Sequence, residues 1–468
     1  MNKMNRIRIP SDLVKVNEIF KKNGYKAYLV GGAVRDMLRK KEVHDWDLAT
    51  NATPEQVMKI FHRVIPTGIA HGTVTIHIFG HDIETTTFRT ESTYSDGRHP
   101  DKVAFASTIE EDLSRRDFTI NAMAADLDDG RIVDPFGGQD DLKKKIIRTV
   151  GSPLERFDED GLRPVRAIRF AAQLDFVIDD ETLKAISEPQ VLNKTSSVSV
   201  ERFRDEWCKM LLTDKPGISL RLLEQTRILD IFIPEFKVCR GCLQHDARGF
   251  HDFDVADHLF HACDGATKEN LIVRLAAFFH DIGKPEVRST EIKNGVELIH
   301  FHKHEIVSEK KCRIVMTRLK FPNDTIDRVC HLVREHMFYY EKNWSDSTVR
   351  RFIIRVGYEN FDDLIELRKA DVYGMHGIPL AELSPTFMLL VELKTRVEKC
   401  RESNSAMSIK DLAVNGNDLM TLGIPAGKAL GEILRELFEA VTESPEMNDH
   451  EKLLECAKKI WTSKYCPD

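Results

Sequence analysis

The stretch YLVGGAVRDMLRKKEVHDWDLAT, residues 28–50, decides how this chain is read. Tyr28, Leu29 and Val30 form a short apolar β run, and Gly31-Gly32 end it in a turn where the backbone can approach a ligand closely. A helix is expected next, with Arg35 in its first turn. Free backbone N–H groups, the positive helix end and a guanidinium would then face one anion, such as a triphosphate. Asp45-Trp46-Asp47 follows. On a strand, residues i and i+2 point to the same side, so Asp45 and Asp47 would present two carboxylates together. Acids so placed repel each other, and a divalent cation relieves the repulsion. Magnesium suits such a pair, because it takes one or two carboxylates and completes its shell with water and substrate phosphates. A Gly-Gly by itself is an ordinary turn and a lone DxD an ordinary solvated loop; their conjunction reads as a nucleotide site.

Composition bounds the alternatives. At 468 residues the chain exceeds one hydrophobic core and should hold three or more domains. Its net charge of -7 argues against a protein coated in positive charge, so nucleic acid would have to meet a local basic surface. Nine cysteines without a regular framework suit a reducing cytosol. The start, MNKMNRIRIP, has basic residues without an apolar run behind them, and no segment is long and apolar enough for a bilayer. A cytoplasmic protein without membrane contact is expected.

Outward from the opening stretch, residues 11–23 read as an amphipathic helix with Ser11 as cap and Leu13, Val16 and Phe20 on one side. Thr53 and Pro54 open a second helix carrying Val57, Ile60 and Phe61. Alternation over 72–78 and 81–88 predicts two antiparallel strands joined near Gly80-His81. Glu84 on the second is either a third carboxylate beside Asp45 and Asp47 or a cross-strand partner for His or Arg. The polar run RTESTYSDGRHPD, residues 89–101, reads as a mobile loop. Further on, Asp160, Arg163, Arg166 and Arg169 recur at spacings of three, as on one helix face, although Gly161 and Pro164 are poor helix residues. Residues 174–236 are helical in pattern, with Val200, Phe203, Trp207 and Met210 on an apolar face and Arg202, Arg204 and Lys209 outside, where they would offer positive charge to RNA phosphates. In the middle, Asp254 opens a helix through His258, and His280-Asp281 ends an apolar helix just before Gly283 and Pro285. One turn there supplies an imidazole nitrogen and a carboxylate oxygen, a natural metal corner.

LVGGAVRD and HDWDLAT resemble the signature of the nucleotidyltransferase superfamily that contains the CCA-adding enzymes and bacterial poly(A) polymerases, as its class II members write it. RRDFTINA (115–122) and EDGLR (159–163) resemble later motifs of that family, in order. The resemblance implies magnesium on Asp45 and Asp47 as the catalytic pair, and the triphosphate on Gly31, Gly32 and Arg35. It implies nucleotide contact by Arg116, and ordering of the sugar and its loop by Asp117 and Asn121. Asp160 and Arg163 would choose the base, supported by Arg166 and Arg169: a carboxylate accepts from the exocyclic amine of C or A, and a guanidinium donates to a ring nitrogen or carbonyl. The 89–101 loop would assist the change from adding C to adding A.

His258, His280, Asp281 and Asp371 resemble the ligand set of HD phosphohydrolases for an unidentified divalent transition metal, with His304 and His336 as further ligands or phosphate contacts. The activity implied is 2′,3′-cyclic phosphodiesterase or phosphatase work. SIKDLAVNGNDLMTLGIPAGKALGEILREL, residues 408–437, resembles the tRNA-contacting tail of HD-containing CCA enzymes.

The expected organisation is an α/β head (1–150) with a small mixed sheet, followed by a mostly α-helical neck (151–236), HD domain (237–375) and tail (376–468). The expected function is template-independent addition of CCA to the tRNA 3′ end from CTP and ATP. Two alternatives stand: an A-adding enzyme or poly(A) polymerase, and a metal-dependent phosphohydrolase whose head only binds nucleotide or RNA.

Overall fold

The structure is a computed structural model that describes residues 6–465 except 44, 70–71, 93–101, 247, 250, 383, 403–405 and 407. The loop expected at 89–101 therefore lies largely outside the described residues. The chain forms two compact units, one of residues 1–237 with 318–320, the other of 238–317 with 321–468. The first holds a mixed sheet and the second is mostly helical.

The first unit opens with α1 (Ser11–Lys22), β1 (Ala27–Val30), α2 (Gly32–Leu38), β2 (Asp47–Thr50) and α3 (Pro54–Ile60). Then come β3 (Val64–Gly68), β4 (Thr73–Ile78), β5 (His81–Thr87), the hairpin β6 (Arg89–Ser92) and β7 (Lys102–Phe105), α4 (Ile109–Ser114), β8 (Ala124–Asp126) and β9 (Ile132–Val133). Seven strands make one sheet in the order β3-β4-β5-β2-β1-β8-β9, mixed because β2 and β5 run parallel while the other pairs run antiparallel. The expected hairpin is β4–β5, turning through Phe79 and Gly80, both at positive φ. α1 begins at Ser11 with Pro10 as its cap residue, one position earlier than expected, whereas Thr53 caps α3 through a reciprocal box with Gln56. Leu29, Leu48, Val74, Ile76 and Ile83 on one sheet face pack with Leu13, Val16 and Phe20 of α1 and Val57 of α3. Phe20 meets Phe61 edge-on at 5.0 Å, and burying such a ring stabilises by about 2–3 kcal/mol. This core leaves the opposite face of β2 and β5 for chemistry.

After the sheet, the chain continues with α5 (Gly138–Lys144), α6 (Pro153–Glu159), α7 (Arg163–Leu174), α8 (Asp180–Ile186), α9 (Pro189–Ser196) and α10 (Val200–Leu211). Phe203, Trp207, Met210 and Leu211 of α10 are buried, as their spacing predicts.

In the second unit the helices Val255–Gly265, His304–Arg318 and Tyr358–His376 carry His258, His304 and Asp371, while Leu271–Phe279 and Asn323–Glu335 end directly before His280 and His336. Farther on, Asn415 caps the helix Gly416–Thr421 by accepting from two backbone N–H groups, and Gly427 precedes the helix Lys428–Glu443. Among the described residues no helix is long and apolar enough to cross a membrane.

Candidate active site

Asp47 opens β2 and stands opposite Glu84 of β5 in the parallel register. Their neighbours Leu48 and Ile83 take the core face, so strand alternation turns both carboxylates to the open face, where both are exposed. The strand begins at Asp47, so Asp45 lies just before it rather than on it. Although Asp47 reaches solvent, the wall around it desolvates the carboxyl and raises its pKa, with Glu84 and Asp45 adding repulsion and Arg116 opposing. The donor chemistry suits a hard divalent cation, since hard oxygen ligands crowd at one strand end and disfavour each other's charge.

A groove of about 320 Å³ brings Asp47 and Glu84 together with Arg116, Asp117, Asp160, Arg163 and Arg166. Gly31 has φ +68°, and a Cβ there would stand 2.9 Å from Nη1 of Arg116. The glycine is required because the turn is left-handed and the arginine lies against it.

Beneath these groups runs a continuous chain of hydrogen bonds. Arg166 donates to Oδ2 of Asp117 at 2.7 and 2.9 Å, Asn121 donates to Oδ1 of Asp117 at 3.1 Å, and Arg35 donates to Oδ1 of Asn121 at 2.8 Å and to Asp36 at 2.7 Å. Burial alone would raise the Asp117 carboxyl, but Arg166 outweighs it and, with Asn121, brings the pKa down to about 2. Arg35 thus differs from expectation: it is buried and holds Asn121 and Asp36 instead of facing an anion.

The 159–169 segment also departs from a single helix. α6 ends at Glu159, Asp160 is extended, and α7 starts at Arg163 with Pro164 in its first turn. Gly161 allows this break, because a Cβ there would meet the Lys194 carbonyl oxygen at 2.5 Å. Asp160 and Arg163 reach one groove through this turn and not through helical spacing. Asp160 accepts from the Leu162 N–H at 2.9 Å and from Arg202 at 2.7 Å, so Arg202, expected to face RNA, holds the carboxylate. Arg163 donates to Glu159 and, at 3.1 Å, to the Arg115 carbonyl. Arg169 turns away to Glu206 and Gln173.

The second unit brings His258, His280, Asp281 and Asp371 together, fully buried, and next to them Asp281, His304 and His336; in each group the potential ligand atoms lie within 4.8 Å of one another. Asp281 joins the two groups. Its Oδ2 lies 3.1 Å from His258 Nε2 and 3.3 Å from His280 Nε2, while its Oδ1 lies 2.9 Å from His304 Nε2 and 3.6 Å from His336 Nε2. His280, His304 and His336 each place Nδ1 2.7–2.9 Å from a backbone carbonyl three residues earlier. An Nδ1–H donor there leaves Nε2 as the lone-pair atom, the tautomer a metal ligand needs. Inward-facing nitrogens at 3.0 and 3.2 Å repel unless a cation or proton lies between them. Burial disfavours a charged His280, yet Asp281 and Asp371 draw a proton onto it, up to a pKa of about 10. The donor set, imidazole with bridging carboxylate, fits a pair of divalent transition ions. Sequence reasoning missed Lys284, whose Nζ is 2.6 Å from Asp281, and Arg368, 2.5 Å from Asp371. Each lies three residues from its acid on the chain, the one signal available.

A mixed-sheet head with carboxylates and arginines in one groove is the architecture of a nucleotidyltransferase, and residues 27–148 match the family model described as the poly A polymerase head domain. Residues 175–239 match a probable RNA- and SrmB-binding site of polymerase A, and 297–457 a putative tRNA nucleotidyltransferase domain 2. The chain belongs to the family of CCA-adding enzymes. It is 33% identical to the CCA-adding enzyme of Ligilactobacillus salivarius, covering 97% of this chain and 98% of that one, and 34% identical to that of Enterococcus faecalis, covering 93% and 92%. The crystal structure of the Bacillus stearothermophilus CCA-adding enzyme in complex with CTP superposes with a TM-score of 0.73 at 28% identity, over 97% of this chain and 98% of that one.

Proposed function

We propose that this protein adds CCA to the 3′ end of tRNA from CTP and ATP, and that the groove of the first unit is where it does so. The observation that carries the reading is the convergence of Asp47 and Glu84 with Arg116, Asp117, Asp160, Arg163 and Arg166 in one cavity. Asp45 and Asp47, with Glu84 beside them, would hold magnesium, which activates the attacking 3′-hydroxyl and offsets charge on the α-phosphate and leaving pyrophosphate. Gly31 and Gly32 bring backbone to the phosphates, and Arg116 offers its guanidinium to the nucleotide. Asp117 and Asn121, tied to Arg166 and Arg35, fix the floor on which the sugar rests. Asp160 offers an acceptor to the exocyclic amine of C or A, and Arg163 a donor to the adjacent ring atom. Both are anchored by Arg202, Glu159 and the Arg115 carbonyl before a base arrives, so selectivity needs little reorganisation on binding. Within the two units we keep the division into head (1–150), neck (151–236), HD domain (237–375) and tRNA-contacting tail (376–468). The decisive assay offers tRNA lacking its last three, two or one nucleotides with CTP or ATP alone. Addition stops after CC with CTP alone and is completed by one A. Incorporation of A only, or an unbounded A tail, would identify an A-adding enzyme or poly(A) polymerase instead.

A second reading is favoured by the Asp281-bridged cluster. We propose a phosphohydrolase activity there, of the 2′,3′-cyclic phosphodiesterase or phosphatase class, with His258, His280, Asp281, Asp371, His304 and His336 holding two transition ions that supply a nucleophilic hydroxide. Chelation followed by reloading with single divalent ions tests it: hydrolysis of a 2′,3′-cyclic nucleotide must follow metal content.

A further inference from the structure

We propose that Asp112 is a positioning residue for nucleotide binding, fastening the start of β6 and two groove arginines in one arrangement. This rests on the reading of the groove as the nucleotide site. The Asp112 side chain is 1% exposed on α4. Its Oδ1 accepts from the Arg89 backbone N–H at 3.3 Å and from Arg115 Nε and Nη2 at 3.0 and 2.9 Å. Its Oδ2 accepts from Arg116 Nη2 at 3.4 Å. One carboxylate therefore reaches three residues that line the groove.

The consequences spread from there. Arg115, so held, presents its carbonyl to Arg163 at 3.1 Å, which ties the base-facing guanidinium to the same anchor. Arg116 is confined between Asp112 and Gly31, where even a methyl group would stand 2.9 Å from Nη1. Its Nε is buried and has no hydrogen-bond partner among the described residues. A buried donor left unmatched in a clamped guanidinium is suited to an incoming acceptor and costs free energy while it lacks one. Structural stability alone would be served by a carboxylate holding Arg115; reaching Arg116 as well as the first residue of β6 ties the wall of the groove to the arginine that would meet the nucleotide.

The test uses the full chain, tRNA lacking its terminal nucleotides, and CTP and ATP titrations of Asp112→Asn, Arg116→Ala and the double variant. Asp112→Asn raises KM for both nucleotides about tenfold, as expected when a charge-assisted clamp is lost, with a smaller change in kcat. The double variant shows a KM below the product of the two single effects, because part of the Asp112 effect acts through the Arg116 guanidinium. Glu111→Gln, which loosens the capping box of the same helix without touching the groove, leaves KM unchanged. If Arg116→Ala raises KM while Asp112→Asn leaves it alone, or multiplies it independently in the double variant, the inference is overturned and the nucleotide site stands. If Arg116→Ala itself leaves KM unchanged, the nucleotide reading of Arg116 falls and the inference with it. Should Asp112→Asn not fold, Asp112→Glu, which keeps the charge and shifts it by one methylene, carries the same comparison.

Discussion

The carboxylates of the head and those of the second unit solve the same electrostatic problem in opposite ways. Asp45, Asp47 and Glu84 are exposed at a strand end, where solvent reaches them and Arg116 alone among the side chains acting on Asp47 offsets the repulsion. Asp281 and Asp371 are buried, and five side chains answer theirs: His258, His280, His304, Lys284 and Arg368. An open site can admit a nucleotide and release pyrophosphate each cycle, and this one keeps its fixed charges one layer down, in the Arg166-Asp117-Asn121-Arg35 chain. A closed site would exchange any ion it binds far more slowly. Substitutions should therefore divide cleanly between rate in the first region and metal content in the second.

Asp47→Ala breaks the comparison at its strongest point. Nucleotide incorporation is expected to fall by on the order of 10³-fold, while metal content of the second unit and any cyclic-phosphate hydrolysis stay at the level of the parent. Retained incorporation would remove the acidic pair from the chemistry. Asp281→Asn is the reciprocal change. Taking one partner from a buried charge network costs about 3–5 kcal/mol, so the melting temperature drops and bound transition metal, read by elemental analysis, is lost, with CTP incorporation per folded molecule unchanged.

The layer beneath the groove is probed by Arg166→Leu. The Asp117 carboxyl sits at about 2 against an ordinary value of 3.8, a depressed pKa. Its contribution is present above pH 3.8 and is lost as the pH falls through 2; at neutral pH it is on the order of 2 kcal/mol. The variant should be less stable than the parent at about pH 6, and the gap should close on acidification toward pH 2. A gap independent of pH would mean that Arg166 acts by packing alone.

How much of this is legible in the chain depends on the range of the interaction. Thr53-Pro54, the β4–β5 hairpin and the buried face of α10 follow from local spacing and appear as read. His258, His280 and Asp371 are far apart in sequence, and short of the fold itself only a family resemblance brings them together. Partner choice is the part that cannot be read. Arg35 and Arg169 carry the right charge for a phosphate, yet each is claimed by a buried neighbour, Asn121 and Glu206, that no spacing rule selects. Arg202 passes for a solvated cation for the same reason. Asp112, four residues before Arg116, carries no local mark of its role, because its burial is a tertiary property.

Gly161 gives the smallest and most specific test of the turn that holds Asp160 and Arg163, the pair proposed to select the base. Along the chain it weakens a helix; in the fold it lies in the turn between α6 and α7, where the Lys194 carbonyl of α9 occupies the space a side chain would need, 2.5 Å from where a Cβ would stand. Gly161→Ala must push that carbonyl or twist Asp160 off its bond to Arg202, at about 1–2 kcal/mol of stability. The variant should fold, lose a few degrees of melting temperature, and discriminate less well between ATP or CTP and UTP, because Asp160 and Arg163 no longer share one aim. A uniform loss of rate with unchanged discrimination would show that the turn supports the neck and leaves the base unread.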